Sequence, residues 1–187
     1  MIGRLPTSLE VGGEEFAIRT DYRDVLNIFA AYEDPELEDK DKLFVLLYVL
    51  FEDFEDLDPD DYEEALKQAN WFLNGGSTTP QDERPNPRVV DWEQDEQILF
   101  PAINSVAGCE VRAQEYIHWW TFLGYFMEIR DGTFSQVLHL RQKKAKHKKL
   151  EKWEQEFWRD NKSLCEIKKR LTKEEEETKA RLIAMLD

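Results

Sequence analysis

Apolar and polar residues alternate along residues 8–20, SLEVGGEEFAIRT, on either side of Gly12 and Gly13. A period of two predicts strands, and the paired glycines predict a tight hairpin turn, with Leu9, Val11, Phe16 and Ile18 supplying the apolar side chains. Two strands alone are marginal in water, so the hairpin must pack on helices or pair with another chain.

From Asp21 the period becomes helical. Tyr22, Val25, Leu26, Ile28, Phe29 and Tyr32 share one broad face, and Asp34-Pro35 predicts its end. A second helix is predicted over 36–54; its middle, LFVLLYVLF, is apolar on all sides and is expected to form the central core element. Asp58-Pro59 then starts a third helix through DYEEALKQANWFL, which Asn74-Gly75 ends.

Residues 75–90, GGSTTPQDERPNPRVV, combine two glycines with three prolines and read as a linker. A fourth helix is predicted from Asp91 toward Ala107, with Pro101 near a bend and Gly108 as the stop. A long aromatic helix follows over 113–130, ended by Asp131-Gly132. Thr133 or Ser135 would cap the next, which leads into the basic run RQKKAKHKK at 141–149 and continues in helical period through KWEQEFWRDNKSLCEIKKRL. Thr172 stands three residues before Glu175, a capping box for a last helix.

The expected fold is therefore mainly α, with about six to seven helices and a short N-terminal β-hairpin. The expected organisation is an acidic hairpin-plus-helix subdomain at 1–74, the linker at 75–90, an aromatic and basic helical subdomain at 91–170, and a C-terminal helix or extension at 171–187. We find no internal repeat.

Charge divides the chain. The 187 residues carry a formal charge of −15, yet residues 1–100 hold 26 acidic against 8 basic side chains and residues 101–187 hold 14 against 17. Such asymmetry points to macromolecular contacts rather than small-molecule chemistry. The longest apolar run, Leu43 to Phe51, is far short of the roughly 20 residues of a spanning helix, and MIGRLPTSLE lacks the apolar core of a secretion signal. No membrane contact is expected. Cys109 and Cys165 form no CxxC and stand apart from the histidines in sequence, so they read as buried thiols in a reducing cytoplasm.

Catalytic signals are weak. Adjacent carboxylates such as Glu14-Glu15, Glu52-Asp53, Asp60-Asp61 and Glu63-Glu64 are abundant, but acid–base catalysis needs two carboxyls in distinct environments of one concave site. EDFEDLDPDDYEE and DPELEDKDK lack the glycine and glutamate spacing of a calcium loop. His118, His139 and His147 make no HxxxH or HExxH arrangement, and no phosphate-binding, dinucleotide-binding or nucleophile-elbow motif occurs. We expect no enzyme activity, no cofactor and no metal.

Two segments carry the candidate sites. Tyr116, Trp119, Trp120, Leu123, Tyr125, Phe126 and Met127 form an aromatic stripe, most of them at helical spacing. Two readings stand: ordinary core, or a groove for an amphipathic partner helix in which Gly124 permits close approach. Arg141, Lys143, Lys144, Lys146, Lys148 and Lys149 put six cations into nine positions. With Trp153 and Trp158 nearby the run resembles a nucleic-acid surface, but the acidic body and Glu151, Glu154 and Glu156 argue against a polyanion. We favour attraction to an acidic surface, such as the acidic half of a neighbouring copy.

EFAIRTDYRDVLNIF, EQILFPAINSVAG, EYIHWWTFLGYFMEI and DGTFSQVLHLRQKKAKHKKLEKWEQEFWRDN together resemble a family of siphophage and Gram-positive prophage proteins. Their genes lie in the tail module between the major tail protein and the tape measure. The resemblance covers about residues 5 to 170; residues 79–88 and the tail after Leu171 match less clearly. It implies a tail assembly chaperone: a helical protein of the host cytoplasm that coats the tape measure protein, recruits tail-tube subunits and is absent from the finished virion. The family carries no catalytic or cofactor residues to transfer. Under this reading the stripe buries apolar tape measure segments, and residues 141–149 steer assembly through charge. Two other functions remain open: a minor structural component retained in the virion, and a nucleic-acid-binding regulator acting through 141–149.

Overall fold

The computed structural model describes residues 3–78 and 87–184. Residues 79–86, within the expected linker, and 185–187, at the end of the expected extension, lie outside the described residues.

Strands β1 (Ser8–Val11) and β2 (Glu14–Ala17) pair antiparallel, with Leu9 opposite Phe16. Gly12 and Gly13 take φ of +60° and +82° in the turn, the left-handed backbone that glycine adopts at least cost. Leu9 and Val11 are buried and face α3, while an isolated bridge joins Ile18 to Phe51.

Nine α-helices follow among the described residues, so the mainly α fold with its hairpin is found with more helices than expected. Helix α1 (Tyr22–Tyr32) starts where the Asp21 carboxylate accepts from the Arg23 amide at 2.9 Å. Helix α2 (Asp39–Leu50) opens on a capping box formed by Glu38 and Asp41. It ends four residues earlier than predicted, because Phe51 turns extended to make its bridge with Ile18. Nor is it central. Leu46, Leu47 and Leu50 are buried against α1 and α3, whereas Leu43, Phe44 and Tyr48 face outward.

Asp58 caps a 3-10 turn at Pro59–Asp61 that leads into α3 (Tyr62–Leu73). Helix α4 (Glu96–Ala107) includes Pro101 and ends on Gly108 at φ +72°. Its predicted first turn is instead a non-helical turn in which the Asp91 carboxylate accepts from the amides of Glu93 and Gln94. Helix α5 (Trp119–Met127) is half the predicted length. Residues ahead of it are extended because the Tyr22 amide donates to Ile117 and the Trp119 amide to Thr20, closing a bridge between Asp21 and His118.

Helix α6 (Thr133–Ala145) is capped by Gly132 rather than Thr133 or Ser135; the Ser135 hydroxyl donates back to the Arg130 carbonyl. The expected helical continuity through the basic run fails at Lys146. His147 takes φ +53°, the His147 amide donates to Lys144 and the Lys148 amide to Lys143, a Schellman ending with histidine where glycine is usual. Helices α7 (Lys152–Asp160), α8 (Lys162–Cys165) and α9 (Lys173–Ala184) complete the chain, α9 opening on the predicted Thr172–Glu175 capping box.

The main core draws on both sides of the 75–90 segment: the Tyr22 ring stacks on Phe122 at 4.2 Å, and Phe72, Leu99, Ile103 and Trp119 complete it. A small second cluster gathers Val137, Leu140 and Cys165 with Leu150, Phe157, Trp158 and Leu164. No helix among the described residues is long and apolar enough to cross a membrane.

Candidate interaction surfaces

The aromatic stripe divides between interior and surface. Trp119 is buried and its indole N–H donates to the Leu73 carbonyl at 2.9 Å; the next residue, Trp120, donates to Phe72 at 2.8 Å. Consecutive indoles thus donate to consecutive carbonyls at the C-terminal end of α3, where the Phe72 carbonyl also accepts from the Gly75 amide. The fit is close. A Cβ at Gly76, whose φ is +79°, would stand 2.5 Å from the Trp120 ring, and one at Gly75 would stand 3.0 Å from Leu123. Phe126 packs on Trp92 and Phe134, while Leu123 and Tyr125 are half-buried against the core. Only Tyr116, whose hydroxyl shares a hydrogen bond with Thr20, and Met127 at 74% exposure lie at the surface. His118 belongs to the same scaffold. Its Nε2 donates to the Pro6 carbonyl and its Nδ1 accepts from the Trp120 amide, so both nitrogens are used in holding α5.

The six cations at 141–149 separate likewise. Arg141 points inward onto Asp95 and the carbonyls of Val89, Leu164 and Cys165, and offers no charge to a partner. Lys143 donates to the buried Glu154 carboxylate at 2.6 Å, and this bond, with the Glu151 amide, holds the Glu154 pKa below its ordinary value. Lys144 lies 3.7 Å over the Trp158 ring. Lys146 at the end of α6 and Lys148 and Lys149 after it are exposed, as are Lys152 and Trp153 in the first turn of α7.

An exposed aromatic surface lies elsewhere, on α2. Leu43, Phe44 and Tyr48 are 44%, 52% and 56% exposed. Phe44 and Tyr48 stack at 5.8 Å, one helical turn apart, and the Phe54 ring meets them edge-on at 5.2 and 5.9 Å. Phe54 in turn contacts Tyr62 at 5.7 Å. Beside this cluster a cleft of about 400 Å³ is lined by Tyr48, Val49 and Phe54, with Glu52, Asp53, Glu55 and Asp56 around it. Arg19 also lines it, donating to the Val49 and Phe51 carbonyls at 2.9 Å at the end of α2. Among the described residues no cation forms an ion pair with Glu52, Asp53, Glu55 or Asp56. Hydrophobic pattern alone missed this surface, because an all-round apolar helix signals burial without saying which face lacks a cover; the acidic run following it was the available clue.

Among the described residues no three His, Cys, Asp or Glu side chains converge as metal ligands. Residues 1–167 match the family described as Bacteriophage Gp15 protein. No curated protein and no solved structure matches the chain.

Proposed function

We propose a role from one fixed point: this chain belongs to the bacteriophage Gp15 protein family. Within it the protein acts as a non-catalytic tail assembly chaperone. It holds an apolar helical segment of the tape measure protein, keeps that client soluble in the host cytoplasm, assists recruitment of tail-tube subunits, and leaves before the virion is complete.

The observation that carries the reading is the outward row of Leu43, Phe44 and Tyr48 on α2, which no described element covers. Aromatic side chains one turn apart, with Phe54 supporting them from the side, give an apolar helix a ridge to pack against. The aromatic stripe on α5 serves mainly to fix α3 and α5 together, and is not the docking face. Many such contacts along one long client would supply avidity from weak single sites.

Co-expression with the tape measure protein tests this. Soluble tape measure should be recovered with the wild-type chain and lost with Phe44→Ser/Tyr48→Ser, with circular dichroism checking that the variant keeps the wild-type helix content. Insoluble tape measure in both cases, together with detection of this chain by mass spectrometry of purified virions, would replace the chaperone reading with a structural tail component.

A further inference from the structure

The acidic aromatic face of α2 and the lysine loop after α6 are complementary, and they sit on one chain. Four carboxylates, Glu52, Asp53, Glu55 and Asp56, surround the cleft beside Tyr48 and Phe54 without an ion-pair partner among the described residues. Four exposed lysines, Lys146, Lys148, Lys149 and Lys152, likewise lack one, and they flank Trp153, which is 57% exposed. No hydrogen bond, ion pair or helix packing joins residues 44–56 to residues 146–153 within the described molecule. Among the described residues, each patch therefore lacks the partner that its chemistry calls for.

We propose that copies of this chain associate head to tail, the Lys146–Trp153 segment of one copy, from the end of α6 to the first turn of α7, docking on the Phe44–Tyr48–Phe54 face of the next. The Trp153 indole is the anchor and occupies the cleft, whose volume of about 400 Å³ admits one aromatic side chain. The lysines meet the four carboxylates around it. The aromatic anchor meets Tyr48, Val49 and Phe54 on the apolar side of the cleft, and the carboxylates that line the rest of it face the lysines, so that an anchor contact is framed by opposite charge. Because the two patches differ, the contact is heterologous: every docked copy leaves one loop and one cleft free, so association continues until a ring closes or a filament grows. The lysine loop owes its projection to the fold. The Schellman turn at His147 ends α6 and swings Lys148 and Lys149 off the helix axis, and the buried Lys143–Glu154 bond holds the start of α7 against α6.

This inference rests on the same reading of α2 as a docking face, and it makes self-association and client binding compete for that face. It is tested without any client. Sedimentation velocity of the full chain should show mass rising with concentration above the 22.2 kDa monomer. The rise should be largest near 0.1 M salt, where a Debye length of about 10 Å removes much of the repulsion between two bodies of −15 while sparing groups in contact, and should fall near 1 M. Lys146→Glu/Lys148→Glu/Lys149→Glu and Glu52→Lys/Asp53→Lys/Asp56→Lys should each be monomeric, and an equimolar mixture of the two should associate again. Trp153→Ala should weaken association at least tenfold with unchanged circular dichroism. A wild-type chain that stays monomeric at every salt and concentration overturns the proposal. So does a closed dimer indifferent to both charge reversals. A monomeric wild type that still solubilises the tape measure through Phe44 and Tyr48 would sink self-association and leave the chaperone reading in place.

Discussion

Arg141 forms a two-pronged ion pair with Asp95 at 2.6 and 2.8 Å, the two side chains 4% and 1% exposed. The guanidinium also donates to the carbonyls of Cys165, Val89 and Leu164, so its nitrogens are committed on every side. Its role is to tie α6 to the turn before α4 and to α8. Breaking a buried pair by removing one partner costs about 3–5 kcal/mol, because the other charge is left without compensation. Arg141→Met should lower the unfolding free energy by about that amount in urea titrations, whereas Lys148→Met, in the surface loop that follows α6, should change it by less than about 0.5 kcal/mol. Equal effects of the two substitutions would contradict the assignment of Arg141 to the interior.

Two left-handed residues invite opposite substitutions. Gly76 at φ +79° lies under Trp120 with no room for a methyl group, so Gly76→Ala combines backbone strain of about 1–2 kcal/mol with displacement of the indole from its bond to Phe72. His147 at φ +53° pays a similar conformational cost with no tight neighbour to satisfy, so His147→Gly should stabilise by up to about 1 kcal/mol. Thermal melts should therefore shift down for the first variant and up for the second. Combining Gly76→Ala with Trp120→Leu should recover part of the loss, since the smaller side chain removes the clash.

Glu110 gives a pH dependence of known sign. Hydrogen bonds from Arg112, with further donation from the Asn104 amide, outweigh partial desolvation and hold the Glu110 carboxyl at about 2 against an ordinary 4.5. A depressed folded-state pKa contributes stability in full above the unfolded value and loses it as pH falls toward the folded one. The melting temperatures of wild type and Glu110→Gln should thus differ by a constant amount above the ordinary glutamate range, and converge as pH falls from 4.5 to about 2. A gap that persists to the acid end would show that Glu110 acts through packing rather than charge.

Local signals define the elements better than they define the elements' surroundings. The Gly12-Gly13 hairpin, the Asp21 and Asp58 starts, the Gly108 stop and the Thr172 capping box are set by residues within one turn of each other, and all are found. The start of α5 is not local: a bridge from Asp21 to His118 pulls the chain ahead of Trp119 into extended form. Helical spacing likewise marks Trp119, Phe126 and Met127 as one aromatic segment without distinguishing the two that pack inside from the one at the surface. The same limit hid the α2 face, whose apolar residues look alike on covered and uncovered sides. Arg141 was masked by its neighbours, since its partner Asp95 is 46 positions away and a run of lysines around an arginine reads as one surface patch.

The two cysteines report on the small cluster that Arg141 supports. Cys109 is exposed, whereas Cys165 is buried with Val137 and Leu140, and burial pushes its thiol above the ordinary value despite the nearby Arg141 and Lys144 charges. Thiolate is the form that reacts, so both access and ionisation protect Cys165. Iodoacetamide on the native protein should modify Cys109 readily and leave Cys165 untouched, by mass spectrometry of the intact chain and its fragments. A cluster this small, joined to the main core through Ile98, the Arg141–Asp95 pair and the neighbouring Phe134 and Leu138 of α6, should open at lower free energy than the whole molecule unfolds. In rising urea, Cys165 should therefore become reactive before the environment of the buried Trp119 changes, and Arg141→Met should advance that step most. Cys165 modified at the rate of Cys109 without denaturant would mean that α6 to α8 do not hold a closed cluster in solution. Cys165 exposed only in step with Trp119 would make the two clusters one cooperative unit.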